Sequence, residues 1–164
     1  MADTVTAQAY LARSIELATA NVMNSGGPFG AVIVTADGQV FDGVNRVTAT
    51  NDPTAHAEVT AIRRACTELG RFELSGATLY ASCEPCPMCL ASALWARVDR
   101  VVFAAGRHDA ASVGFDDAAF YEYFENGQPE AVMPVHKLEL DGPGAPSVLQ
   151  PFTAWSALQT RIDY

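Results

Sequence analysis

Positive charge is scarce in this 164-residue sequence: ten Lys and Arg stand against nineteen Asp and Glu, for a formal net charge of −9. The cations are scattered, with Arg63-Arg64 the one adjacent pair. Such a chain repels a phosphate backbone unless a local basic patch overcomes the net field, so a nucleic-acid partner is disfavoured and a small, neutral ligand favoured. Long apolar runs are missing too; none approaches the ~20 residues that a membrane span needs, so no membrane partner is expected. The first residues, Met-Ala-Asp-Thr-Val-Thr, lack the basic and then apolar order of a secretory signal. The expectation is a soluble, cytoplasmic protein. Internal repeats, low-complexity segments and linkers are likewise missing. With 49% hydrophobic and 18% charged residues, the chain suits one packed domain over residues 1–164.

What is present is a tight set of cysteines. Of Cys66, Cys83, Cys86 and Cys89, three fall within seven residues. A secreted disulfide scaffold spreads its cysteines more widely, so this spacing points to metal or redox chemistry. Around it, hydrophobic periodicity predicts alternating elements. An amphipathic helix is expected over roughly Thr6 to Asn24, ended by Gly26-Gly27-Pro28. Strands are expected at Ala31–Val34, Val40–Asn45, Thr78–Ala81 and Val101–Ala104, the first two joined by an Asp37-Gly38 turn. A helix is expected over Pro53–Leu69, with Asp52 as its cap and Pro53 at its first position. Pro87–Ala96 reads as a short helix, apolar on nearly all sides and so deeply buried. A short helix is expected near Asp116–Glu125, a further strand at Val135–Leu140, and a terminal helix carrying Val148, Phe152, Trp155, Leu158 and Ile162. This alternation implies a layered α/β domain.

Two motifs carry chemistry. His56-Ala57-Glu58 is followed by Pro85-Cys86-Pro87-Met88-Cys89, the His-x-Glu and Pro-Cys-x-x-Cys pattern of zinc nucleobase deaminases. Each half is placed at the start of a helix. His56 and Glu58, two residues apart, would diverge in mid-helix but at a first turn can both reach a point beyond the helix end. Cys86 and Cys89 share a face, and two helix N-termini aimed at one point favour thiolates there. His56, Cys86 and Cys89 would give zinc three protein ligands and leave the fourth position open, as in catalytic sites. Glu58 is then a proton carrier, not a ligand. Cys-x-x-Cys alone also suits a structural zinc or a redox pair. A closed structural site needs a fourth ligand, and Cys83 is the nearby candidate. Cys83 and Cys66 read more simply as buried small apolar residues.

Asn51-Asp52-Pro53-Thr54-Ala55-His56-Ala57-Glu58 and Ser82-Cys83-Glu84-Pro85-Cys86-Pro87-Met88-Cys89 resemble the cytidine deaminase superfamily. They are most similar to its bacterial guanine deaminase branch. The resemblance extends to Gly26-Gly27-Pro28-Phe29-Gly30, Trp95-Ala96-Arg97, Gly114-Phe115-Asp116-Asp117, Pro151-Phe152-Thr153-Ala154-Trp155 and Tyr164. It implies a three-layer α/β/α sandwich around a five-stranded mixed sheet. It also implies a homodimer in which one subunit's C-terminal segment closes the other's site. The positions matching Phe29 and Asn45 would hold the purine, that matching Asp117 would assist proton transfer to the leaving amine, and Tyr164 would reach over the pocket. On the residues alone, Asn45 suits a turn as well as a ligand contact, and Phe29 suits plain core. Asp116 and Asp117 suit a helix cap, and Tyr164 suits a frayed end.

The expected activity is zinc-dependent hydrolytic deamination of guanine to xanthine and ammonia. Guanosine, cytosine or an ammeline-like triazine fits a site of the same plan. A tRNA-editing adenosine deaminase shares the motifs but would carry a basic face and tail. A non-catalytic zinc or redox module is the alternative of a different class.

Overall fold

The computed structural model describes residues 2–127, 129–140 and 142–163. The chain forms two compact units, one ending at Glu122 and the other beginning at Tyr123.

In the first unit, the elements are α1 (Ala2–Met23), β1 (Gly30–Val34), β2 (Val40–Val44), α2 (Val47–Thr50), α3 (Ala57–Leu69), β3 (Thr78–Cys83), α4 (Pro87–Trp95), β4 (Arg100–Ala105) and α5 (Arg107–Ala111). The sheet order is β2-β1-β3-β4. β1 pairs antiparallel with β2 and with β3, whereas β3 and β4 are parallel and joined through α4. The sheet is mixed, as expected. α1 covers one face; α3 and α4 cover the other, over Ala31, Ile33, Phe41, Ala57, Ala61, Ile62, Ala65, Leu79 and Ala93. The α3 contact is close because position 43 is glycine. A Cβ there would collide with the Ala57 carbonyl and with Ala61. Gly43 thus lets the first turn of α3 lie directly on β2. No helix of the described residues is long and apolar enough to cross a membrane.

Four expectations need correction. First, the described sheet has four strands, not five. Val135–Leu140 alternates in sequence but forms no ladder, and all its residues are exposed; alternation marks a strand only where a sheet edge accepts it. Second, the long helix begins at Ala57, four residues after Pro53. Asp52 Oδ1 accepts the Thr54 N–H at 2.8 Å, an Asx turn that uses the side chain locally instead of capping a helix. Third, α4 is apolar all round yet buries only Cys89 and Ala93, leaving Leu90, Leu94 and Trp95 exposed. Fourth, Cys66 and Cys83 are half-buried.

α6 (Ala118–Glu125) runs across the boundary between the units. Within the second unit, the Tyr123 hydroxyl donates to the Met133 carbonyl at 3.0 Å. α7 (Gln150–Ala157) is shorter than the expected terminal helix, because Leu158 turns to an extended conformation. Every described residue from Glu130 to Asp163 is exposed, including the apolar Val132, Leu138, Val148 and Phe152.

Candidate active site

His56 and Cys86 are the N-caps of α3 and α4, with nearly the same extended backbone: φ −65°, ψ 159° and φ −65°, ψ 168°. Each N-cap carbonyl accepts the first helical bond, from Thr60 N at 2.9 Å and from Leu90 N at 3.0 Å. Neither side chain caps its own helix, so the imidazole and the thiol remain free to face a common point. Pro87 fits the first position of α4, where no N–H is needed. Cys89 follows one turn on, and Glu58 lies in the first turn of α3.

His56 Nδ1 lies 3.6 Å from Cys86 Sγ and 3.5 Å from Cys89 Sγ, and the two sulfurs are 3.6 Å apart. A tetrahedral zinc with Zn–S near 2.3 Å and Zn–N near 2.0–2.1 Å would separate its sulfurs by about 3.8 Å and nitrogen from sulfur by about 3.6 Å. The three donors therefore already stand at zinc-ligand spacing. Among the described residues they form the one His/Cys/Asp/Glu group able to hold a metal, with all ligand atoms within 4.8 Å. Cys83 is not in that group, which leaves three protein ligands, the number found in catalytic sites.

The electrostatics favour a thiolate at Cys86. The hydrogen bond with Cys89 lowers the Cys86 thiol to about 4, and His56 assists. The same bond, together with burial, raises Cys89. The bond with Cys86 raises His56 against its partial burial. Glu58 is buried, and burial raises its carboxyl above the ordinary range. Burial, and then the Cys86 charge, raise Asp117.

A cavity of 580 Å³ opens over this group, within the range of small-molecule sites. Phe29, Asn45, His56, Glu58, Cys86 and Asp117 all line it; Cys89 is buried at the metal-ligand cluster. Tyr164 lies outside the described residues. Phe29 meets Phe115 edge-on at 5.0 Å. Asn45 Oδ1 accepts the Val47 N–H at 3.3 Å. Of the two adjacent aspartates, Asp116 does the local work: its Oδ1 accepts the Ala118 N–H at 3.0 Å.

Sequence reasoning missed several residues of this wall. Glu84 Oε2 accepts the Arg107 N–H at 3.0 Å, tying the β3–α4 loop to the start of α5. The Arg107 guanidinium lies 4.6 Å from the Tyr121 ring centre, and the Tyr121 hydroxyl donates to the Pro85 carbonyl at 3.1 Å. Glu84 and Arg107 line the cavity. Only the Glu84-Pro85 stretch of the motif pointed here, because the other partners come from distant parts of the chain.

Comparison with known proteins agrees with this geometry. Residues 4–105 match the model of the cytidine and deoxycytidylate deaminase zinc-binding region. The chain is 44% identical to guanine deaminase of Bacillus subtilis over 96% of its own length and 98% of that protein's. The crystal structure of a guanine deaminase from Bacillus subtilis superimposes with a TM-score of 0.87 at 45% identity, covering 96% of this chain and 98% of that one. A guanine deaminase structure from Nitrosomonas europaea gives 0.63 at 33% identity, over 67% and 64% of the two chains. With its deaminase motifs on two convergent helix N-termini and its ligands at zinc spacing, the chain belongs to the cytidine and deoxycytidylate deaminase family and is a zinc-dependent aminohydrolase.

Proposed function

We propose that the chain hydrolyses guanine to xanthine and ammonia, acting as a single deaminase domain over residues 1–164. The observation that carries this reading is the near full-length likeness to guanine deaminase of Bacillus subtilis, joined to a cavity that ends on His56, Glu58 and Cys86.

His56 Nδ1, Cys86 Sγ and Cys89 Sγ would hold the zinc. When bound, zinc supplies a Lewis acid and brings the pKa of a water at its open position to about 7. Phe29 packs on the purine ring, and the Asn45 carboxamide hydrogen-bonds its polar edge. Val47 N–H holds Asn45 Oδ1, leaving the amide hydrogens to the cavity. Glu58 takes a proton from the attacking water and gives it to the ring nitrogen beside the carbon that bears the amine. Burial raises its carboxyl above the ordinary range, the direction that suits a group that must return a proton as well as accept one. Asp117, also raised, passes the proton of the newly formed hydroxyl to the amine, so that the C–N bond breaks, the carbonyl forms and ammonia leaves.

The active form is a homodimer whose C-terminal segment is exchanged over the partner's site. In support, Leu90 and Leu94 of α4, and Val132, Leu138, Val148 and Phe152 of the second unit, are apolar side chains exposed in one chain. The four free cysteines suit a reducing, cytoplasmic compartment. Guanosine is the second reading, because 580 Å³ leaves room beside a bare purine. Rates on guanine and guanosine measured side by side separate the two; a higher kcat/KM on the nucleoside would displace guanine.

A further inference from the structure

Asn21 stands near the end of α1, 24 residues before Asn45, and is 7% exposed. Its Nδ2 donates to the Gly27 carbonyl at 2.8 Å and to the Asn45 carbonyl at 2.9 Å. Both neighbours are carbonyl oxygens, which only the amide hydrogens can satisfy. One carboxamide therefore joins two backbone segments of the cavity wall: the Gly26–Phe29 loop and the end of β2. Those segments also bond each other, from Asn45 N to the Phe29 carbonyl at 3.1 Å. The Phe29 N–H in turn donates to the Gly27 carbonyl at 2.8 Å.

Gly26 makes room for the bridge. A Cβ at position 26 would collide with the Asn21 carboxamide itself. A Cβ at Gly27 would meet the Asn45 side chain at 3.0 Å. The fit of this loop is thus set against Asn21 on one side and Asn45 on the other. A leucine of similar size at position 21 would fill the space but take this donor from both carbonyls, so the position calls for an amide.

We propose that Asn21 is a positioning residue for purine recognition: it touches no substrate, and it holds Phe29 and Asn45 at the spacing that grips the ring. This rests on the guanine reading above. Phe29 and Asn45 contact the purine before and during reaction, so loosening them removes binding common to the ground and transition states. That raises KM and spares kcat.

Asn21→Ala removes the bridge, and Gly26→Ala displaces it from the opposite side while leaving Asn21 in place. In both variants, zinc content and a cooperative melt are expected to persist. KM for guanine is expected to rise about tenfold, with kcat within about threefold of the parent. Adding Asn45→Ala to Asn21→Ala supplies a readout that a merely structural role would not move. The Asn21 effect on KM should shrink to about twofold or less in that background, since the two residues act as one unit. An unchanged KM in either folded, zinc-bearing variant, or full additivity with Asn45→Ala, would overturn the positioning role. No turnover of guanine by the unaltered chain would instead overturn the guanine reading beneath it.

Discussion

His56 and Cys86 are related as equivalent N-caps of two helices, and their Nδ1 and Sγ atoms stand 3.6 Å apart. The relationship explains why residues 30 apart in the chain act together. Each is the last extended residue before a helix, so each side chain lies at the positive end of a helix and leaves its own backbone uncapped.

Loss of a ligand should therefore abolish metal binding without requiring collapse of the fold. Cys86→Ser or Cys89→Ser is expected to drop bound zinc from about one per chain to below about a tenth. Metal analysis alongside circular dichroism reads both quantities. Stoichiometric zinc in Cys89→Ser would remove that thiol from the ligand set.

Glu58→Gln keeps the size of the side chain and removes its proton chemistry. Zinc should be retained, and kcat should fall by about 10²-fold or more. Near-parent turnover would take the proton-carrying role away from Glu58.

Gly43 links the sheet to the site. Gly43→Ala places a methyl against the carbonyl of Ala57, the residue between His56 and Glu58. Overpacking of this kind costs about 1–3 kcal/mol. The variant should melt earlier and bind zinc less tightly than the parent, measurable by thermal denaturation and a chelator competition. A Tm unchanged from the parent would show that α3 yields freely there.

Asp52 fixes the turn that delivers His56. Hydrogen bonds from the Thr54 hydroxyl, then from its N–H, with Arg63 nearby, hold the Asp52 carboxyl below its ordinary pKa. A depressed folded-state pKa means stability that is present above the unfolded value, about 3.9, and lost as pH falls through the folded value. The difference in urea midpoint between the parent and Asp52→Ala should be constant above about pH 5 and shrink below about pH 4. A difference that instead grew toward acid would contradict the assignment.

Much of this site is legible in the sequence because its central residues come in two short runs. His56-Ala57-Glu58 and Cys86-Pro87-Met88-Cys89 announce the metal and the proton carrier by residue type and spacing alone. The four described strands fall where the apolar runs predict them. The sequence misleads where one local pattern has two uses. Asp52-Pro53 has the composition of a helix start but makes an Asx turn, so the helix starts four residues later than its composition predicts. Val135–Leu140 has a strand's alternation but no partner edge among the described residues. α5 is a five-residue helix, too short for its period to show. The Glu84–Arg107 bond joins a side chain to a backbone 23 residues away, and Asn21 sits in an α1 pattern where it reads as one more polar residue. Such backbone-directed bonds leave no spacing signature.

The most direct measurement is product release from guanine by the zinc-loaded protein. Xanthine and ammonia should appear in equal amounts, and Glu58→Gln at the same zinc content should release almost none. A protein that binds one zinc through His56, Cys86 and Cys89 yet yields neither product from guanine would contradict the central claim.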